Sequence, residues 1–253
     1  MKWEVKRLAS TASTNADLAA LARKGEASEG LVLVAERQTA GRGRQGRSWF
    51  SMPGRCLCFS LLLRPKVAPP LAATMPLAIG AAVADAIAPL LAPAKVAVKW
   101  PNDILVDGSK ICGILCEMGA TAEAVDYIVA GIGLNVNLDA ADLPDELAAQ
   151  ATSMSLAAGR KFDLERLLDA LLASLGETYE RWQEHGLEAV RTQLDARDAL
   201  RGRHVTIRLA GPPLSGTCEG IAASGALLLR LGDGTLREVF SGEAIETRGK
   251  REI

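Results

Sequence analysis

The sequence has no excess of charge of either sign: across 253 residues, 29 lysines and arginines face 30 aspartates and glutamates, for a formal net charge of -1. A surface built throughout to grip nucleic acid or an anionic membrane needs a one-signed excess, so the balance argues against both. A disulfide framework is also missing. Five cysteines, an odd number without regular spacing in a chain this long, point to thiols in a reducing compartment rather than to a stapled secreted module. The opening Met1-Lys2-Trp3-Glu4-Val5-Lys6-Arg7 has no apolar signal core, so nothing marks it for export. The one long run poor in charge, between Lys66 and Lys95, is alanine-dominated, carries Asp85 and is punctuated by Pro69, Pro70, Pro76, Pro89 and Pro93. A spanning helix needs about 20 strongly apolar residues, so this run reads as a buried core helix.

Material for a core is plentiful. Hydrophobic residues make up 49% of the chain and charged residues 23%, which excludes intrinsic disorder. The length suits one large domain, or a main domain with a small one.

Trp3 to Leu8 reads as a short strand, and Ser10 to Asn15 offers hydroxyl and amide caps for a helix from Ala16 to Lys24, closed by Gly25. Gly30 to Glu36 and Cys58 to Arg64 read as strands, with the alanine-rich helix after them. Val96 to Trp100 runs into a turn at Pro101-Asn102-Asp103; strands follow over Lys110 to Met118, after the Asp107-Gly108 turn, and over Tyr127 to Val136. Strands meeting both in hairpins and through helices predict an α+β layer with a mixed sheet. From the N-cap Asp163, Leu164, Leu167, Leu168, Leu171, Leu172, Leu175, Tyr179 and Trp182 keep helical spacing until Gly186, a core stripe. Arg203 to Leu209, Gly216 to Ala222, Ala226 to Leu231 and Leu236 to Phe240 are short strands between glycine-rich turns, a small β-barrel pattern. The domain boundary is therefore expected near residue 198, giving 1–198 and 199–253; the second carries +2 and the first -3, too mild an asymmetry to name a partner.

Between Arg37 and Arg55 lie five arginines and no acid. Such a segment cannot bury itself and should face something anionic. Gly41-Arg42-Gly43-Arg44-Gln45-Gly46 imitates a dinucleotide fingerprint, and Gly41 to Ser48 nearly imitates a phosphate loop, but both need a helix to start at the last glycine. Trp49-Phe50-Ser51-Met52-Pro53-Gly54 is a poor helix start. What remains is close backbone approach at glycine and planar cationic forks for phosphate or carboxylate. On the loop alone, an anion site, a solvated loop and a nucleic-acid patch using Trp49 and Phe50 all stay open. In the second cluster, Lys99-Trp100-Pro101-Asn102-Asp103 and then Lys110 to Leu115, Lys110 starts an apolar strand whose Gly113 admits a ligand or another backbone. It is either partly desolvated and poised to hold an anion, or a lysine snorkelling at a strand end.

Other candidates fail. Gly216-Thr217-Cys218-Glu219-Gly220 imitates a nucleophile elbow, yet no histidine follows it. Cys56, Cys58, Cys112 and Cys116 lack zinc-type pairing, and His185 and His204 lie elsewhere, so core thiols are expected. Asp142, Asp145 and Glu146 sit in a solvated turn and helix start.

Taken in order, Ser13-Thr14-Asn15, Gln38 to Arg47 with Trp49, Lys99 to Asp103, Lys110 to Leu115 and Gly131-Ile132-Gly133-Leu134-Asn135-Val136-Asn137 resemble the biotin protein ligases, and Gly225 to Leu228 with Ser241-Gly242-Glu243 extend the likeness to the end of the chain. The resemblance implies an α+β catalytic domain with an SH3-like barrel. The implied reaction has two steps: the biotin carboxylate attacks the α-phosphorus of ATP, giving biotinyl-5'-AMP and pyrophosphate, and a lysine of a biotin carboxyl carrier protein takes the acyl group. It further implies that Ser13, Thr14, Asn15 and Gln38 line a biotin pocket, whose neutral ureido ring hydroxyls and amides can satisfy. Gly41, Arg42, Gly43 and Arg44 would close over biotin and the adenylate, and Gly113 would belong to the same pocket. Lys110, with Arg44, would be catalytic, holding the carboxylate beside the phosphate. Trp49, Lys99, Asn102, Asp103 and Asn135 match the nucleotide half of the site. Magnesium should accompany ATP, keeping waters and phosphate ligands rather than an all-protein cage.

Arg55-Cys56-Leu57-Cys58 departs from the small or polar and aromatic residues common in relatives, and only 12 residues precede Ser13, too few for a helix-turn-helix. A monofunctional cytoplasmic enzyme without DNA or membrane binding is expected, with homodimerisation implied by resemblance only. The rival readings are a lipoate or octanoate ligase or transferase of the same fold, and a nucleic-acid-binding module.

Overall fold

A computed structural model describes residues 1–246. The chain opens with β1 (Glu4–Leu8), α1 (Thr14–Lys24), β2 (Leu31–Ala35) and β3 (Cys56–Leu63). Next come α2 (Pro69–Ala72), α3 (Met75–Leu91), β4 (Val96–Lys99), β5 (Asp103–Val106), β6 (Ser109–Ala120) and β7 (Val125–Asn135). Strands β1 to β7 form one sheet in the order β1-β2-β3-β7-β6-β5-β4. Only β1 and β2 run parallel, because α1 crosses between them; the other neighbours are antiparallel. The mixed sheet is therefore as expected.

Alternation sorts this sheet into two faces. Phe59, Leu61 and Leu63 of β3, Ile128, Ala130 and Ile132 of β7, and Cys112 and Ile114 of β6 pack beneath α3 and α6 (Leu164–His185). Helix α3 is the alanine-rich run. It is long and apolar enough to cross a bilayer when joined to α2, but 67% of that window is buried within the fold, as a core helix should be. Asp163 caps α6 by accepting from the backbone N–H groups of Glu165 and Arg166, and Leu167, Leu168, Leu171 and Leu175 are buried along its stripe. Each such leucine contributes about 1.5–3 kcal/mol by leaving water.

On the opposite face, α1 covers only part of the sheet. Leu18 and Ala22 pack on Leu33, Leu62 and Val129. The uncovered remainder presents Cys58 and Ser60 of β3, Gly131 and Gly133 of β7, and Gly113 and Glu117 of β6, which register places side by side. Ser13 occupies the N-cap position of α1, but its side chain makes no capping bond. The hydroxyls and amides that looked like caps are used elsewhere, as shown below.

Helices α4 (Asp145–Ala148) and α5 (Met154–Ala158) lead into α6, and α7 (Arg191–Arg197) leads to the terminal unit. There β8 (His204–Arg208), β9 (Leu214–Ile221), β10 (Leu227–Arg230), β11 (Leu236–Val239) and β12 (Glu243–Glu246) form an antiparallel sheet ordered β11-β10-β9-β8-β12. Strand β12 was not anticipated from the sequence, since its alternation is too short to read. Cys218 is a core thiol of this unit, 1% exposed. Val205, Ile207, Leu227 and Leu229 join the same apolar cluster as α3 and α6, so core packing continues from the large sheet into the terminal one. At the passage, Asp198 bridges Val98 and the Ala199 N–H donates to the Val98 carbonyl at 2.9 Å.

Candidate functional site

The arginine-rich segment is a short hairpin. Arg42 pairs with Ser48, the Gly43 N–H donates to the Arg47 carbonyl at 2.7 Å, and the Trp49 N–H donates to Gly41 at 2.9 Å. A single 3-10 turn, Arg44–Gly46, closes it, and no helix follows Gly46, so neither phosphate-binding motif is present. Gly41 has a steric reason to be glycine, because a Cβ there would lie 2.8 Å from the Trp49 carbonyl.

Each of its three arginines reaches a different element. Arg42 Nη1 lies 3.4 Å from Glu117 on β6, Arg44 Nη1 donates to Asn102 Oδ1 at 3.3 Å, and Arg47 Nη1 lies 2.6 Å from Glu243 on β12. The segment without acids is thus met by acids from elsewhere in the fold. Arg44 is half-buried, and desolvation lowers its pKa from the ordinary guanidinium value. Lying so far above neutrality to begin with, it stays a cation. Arg55 leaves the site altogether, pairing with Asp139 and Asp142 on the protein surface.

Trp49 folds back from the hairpin and lies on the sheet. A Cβ on Gly133 would fall 2.5 Å from its Nε1, and one on Gly113 would fall 2.9 Å from its Cζ3. Since Gly113 and Gly133 are direct partners on β6 and β7, the indole rests on a window of bare backbone. Lys110 reaches the same window. Its Nζ is 5.5 Å from the Trp49 ring centroid, 2.6 Å from Asp103 Oδ1 and 3.4 Å from where a Gly113 Cβ would be. The pair with Asp103 is Coulombic rather than a directed hydrogen bond, for Oδ1 has no partner of hydrogen-bonding geometry. Lys110 is three residues from Gly113 and would face the other way in a regular strand; a bulge opposite Ile104 and Leu105 inserts one residue and turns it to the same side. Its backbone is clamped on the outer side, donating to Gln150 at 2.7 Å and accepting from Thr152 at 2.8 Å.

At the other end of the floor, the Thr14 N–H donates to Gln38 Oε1 at 2.9 Å, and Ser60 Oγ donates to Asn15 Oδ1 at 2.6 Å. Having used its proton there, Ser60 accepts from Thr14 Oγ1 at 2.7 Å. Asn15 Nδ2 donates to the Leu115 carbonyl at 3.1 Å and to Glu117 Oε2 at 3.0 Å. It fits because Gly131 opposite carries no side chain: a Cβ there would sit 2.8 Å from Asn15 Cγ. Ser13, Thr14 and Asn15 are all buried. Beside this floor, meeting it at Leu115 and Glu117, a cavity of about 320 Å³ lies between the hairpin turn, Pro76 and Leu77 of α3, Asn102, and the terminal residues Gly225 and Phe240. That is enough for a small ligand.

Most residues singled out from the sequence therefore converge. Asn102 is tied by its Nδ2 to the Ile114 carbonyl at 2.7 Å and by its Oδ1 to Arg44. Lys99 stands near Glu243, whose pKa it helps lower together with Arg47 and Arg208, against the opposing effect of burial. Asn135 is turned inward, with Nδ2 donating to the Thr152 carbonyl at 3.0 Å, so it braces the segment that clamps Lys110. Sequence reasoning missed Ser60, Glu117 and Glu243 as participants. Ser60 left a trace as the lone hydroxyl in an apolar strand, at 0% exposure. The thiols stay inert: desolvation pushes Cys58 up to about 12 and Cys56 up to about 11, and among the described residues no three metal-ligating side chains cluster.

Comparison with known proteins agrees with the fold. Residues 7–135 fit the model of the biotin/lipoate A/B protein ligase family, and residues 201–245 fit the biotin protein ligase C terminal domain. The bifunctional ligase/repressor BirA of Bacillus subtilis is 37% identical over 237 residues, which are 93% of this chain and 71% of that protein. The biotin--[acetyl-CoA-carboxylase] ligase of Mycobacterium tuberculosis is 36% identical over 95% of this chain and 88% of its own length. Among solved structures, the biotin protein ligase from Aquifex aeolicus in complex with biotin and ATP superposes with a TM-score of 0.82 at 29% identity, covering 97% of this chain and 99% of that one. With one match spanning most of the large sheet, another spanning the terminal unit, and the relatives covering nearly the whole chain, this chain belongs to the biotin protein ligases of the biotin/lipoate A/B protein ligase family.

Proposed function

We propose that the chain activates biotin with ATP to biotinyl-5'-AMP and passes the biotinyl group to a lysine of a biotin carboxyl carrier protein. One observation carries the reading at this chain's own residues: Lys110 stands over the Gly113–Gly133 window, its Nζ 2.6 Å from Asp103, beneath a hairpin that brings Arg44 to Asn102. An oxygen of the biotin carboxylate attacks the α-phosphorus and pyrophosphate leaves. Lys110 offers its ammonium to both the carboxylate and the phosphate, and Asp103 holds that ammonium in place. Arg44, desolvated and aimed into the site, offsets charge that grows on phosphorus oxygens in the transition state. The acceptor amine then attacks the acyl carbonyl, and AMP departs with the electron pair of the broken acyl–oxygen bond.

Thr14, Asn15 and Gln38 are assigned to the polar end of a biotin site, where their amides and hydroxyl suit a neutral ureido ring, with Ser13 and Gly131 beside them. Gly41, Arg42 and Gly43 form the arm that closes over the ligand. Trp49, Lys99, Asn102, Asp103 and Asn135 are assigned to the nucleotide half, Asn135 acting through the Thr152 segment. Magnesium enters with ATP. The donor set fits an ion held mainly by phosphates and water, because the nearest carboxylate, Asp103, is already paired with Lys110. We place the enzyme in the cytoplasm, in keeping with five unpaired thiols. Homodimerisation is testable by sedimentation.

A lipoate reading is less well supported, since the terminal unit fits the biotin protein ligase C terminal domain. A nucleic-acid reading loses its main argument once the hairpin arginines are engaged by Glu117, Asn102 and Glu243. The deciding experiment is transfer of labelled biotin to a carrier domain with and without ATP. Transfer only with ATP supports the reading; no biotin-dependent ATP–pyrophosphate exchange by folded protein refutes it.

A further inference from the structure

Glu117 has no part in the reaction as drawn, yet it stands where two pieces of the site meet. Its Oε2 accepts from Asn15 Nδ2 at 3.0 Å and its Oε1 lies 3.4 Å from Arg42 Nη1. The two partners differ sharply in freedom. Asn15 is 4% exposed and is held also by the Leu115 carbonyl, by Ser60 and by its fit against Gly131. Arg42 has a side chain 55% exposed, on an arm of a hairpin whose own backbone bonds are few. Among the described residues Glu117 is the acid with which Arg42 pairs, and it borders the cavity beside Arg42 and Arg44. A fixed amide therefore orients a carboxylate, and the carboxylate holds a movable guanidinium over the floor.

We propose that Glu117 is a positioning residue of the closed hairpin: it ties Arg42 to the rigid α1–β6 corner and so retards escape of the acyl adenylate. The inference rests on the ligase reading above. Glu117 reaches neither Lys110 nor Asp103, so it acts through the arm rather than on reacting atoms. Lifting the arm to release the adenylate must break the pair. A partly exposed ion pair of this kind changes an equilibrium by about two- to fivefold.

The test compares wild type, Glu117→Gln, Arg42→Gln and the double variant. Labelled biotinyl adenylate is formed on the enzyme, the complex is chased with unlabelled biotin and ATP, and the release rate is followed. Glutamine keeps a carbonyl for Asn15 and removes only the charge, so the fold is retained. Arg42 is exposed, so its variant reads the same pair from the other side whatever Glu117 does to stability. Release should quicken about two- to fivefold in Glu117→Gln and at least as much in Arg42→Gln, with the double variant no faster than Arg42→Gln alone. The loss should appear in KM for biotin more than in kcat, and high salt should shrink the gap between wild type and Glu117→Gln. Wild-type release in Glu117→Gln overturns the proposal, as do effects that multiply in the double variant. Failure of wild type to form any adenylate is a separate result, visible before the variants are compared, and it overturns the ligase reading together with this inference.

Discussion

Replacing Gly133 by alanine adds one methyl group at the centre of the proposed site. The new Cβ would lie 2.5 Å from Trp49 Nε1 and 2.8 Å from Cζ2, whereas unstrained contacts between such atoms are about 3.5–4.0 Å. The indole must therefore retreat by about 1 Å. The ring already occupies the space a side chain on Gly113 would take, Cζ3 lying 2.9 Å from that Cβ position, so the indole is seated against both strands. The ring has to lift off the sheet, carrying the hairpin end with it and disturbing Lys110, whose Nζ is 5.5 Å from the ring centroid. Overpacking of this kind costs about 1–3 kcal/mol of stability, and a misplacement of about 1 Å at a reacting centre costs about 100-fold in rate. Biotin-dependent ATP–pyrophosphate exchange measures the second effect and calorimetry the first. Gly119→Ala is the control. Its Cβ would meet the Tyr127 ring at 2.8 Å, a comparable overlap at the far end of β6, so it should lower Tm while leaving exchange near wild type. Wild-type exchange in Gly133→Ala, or equal loss in Gly119→Ala, would refute the reasoning.

Lys110→Ala should remain folded and lose on the order of 10²–10³ in adenylate formation, as removal of one transition-state charge partner does; a rate within a few-fold of wild type contradicts the assigned role. Glu243→Gln should cut the Arg47 tether, raise KM for biotin and ATP by about two- to fivefold, and match wild type at high salt, measured by exchange kinetics. Asp198, its side chain buried beside the passage to the terminal unit, has an Oδ2 that makes no hydrogen bond and lies 4.0 Å from Arg201 Nε, and desolvation raises its pKa. Its folded-state pKa exceeds the unfolded one, so it subtracts from stability above the folded pKa, and the deficit fades as pH falls toward the unfolded value. Asp198→Asn, which keeps an acceptor for the Leu200 N–H at 2.8 Å, should raise Tm at neutral pH, with the gain vanishing in acid; calorimetry across pH decides.

Much of the fold was legible because its signals are local. The leucine stripe of α6 follows from spacing alone, Asp163 caps it through adjacent backbone, and the alanine-rich run, with Asp85 and its prolines, reads as core although its length and apolarity alone would also suit a membrane. Strand β12 was illegible, since four residues after a glycine carry no pattern of their own and are ordered by pairing with β8. The caps expected from Thr14 and Asn15 failed for a related reason. Local propensity offers those side chains to the helix start, but Gln38 and Ser60, distant in sequence, compete for them and win.

By itself the sequence determined which residues could do the chemistry: glycines that let backbone and ring approach, arginines with no acid nearby in the chain, and a lysine leading an apolar strand. Tertiary structure decided how they face one another. The bulge opposite Ile104 and Leu105 turns Lys110 onto the side of Gly113, and strand pairing sets Gly113 against Gly133 beneath Trp49. The acids that meet the arginines come from β6, β12 and the turn at Asp139 to Asp142, and they send Arg55 away from the site that Arg42, Arg44 and Arg47 share. Charge and shape at a residue are written in its own side chain, but the partner that gives them a use is brought near only when distant strands pair.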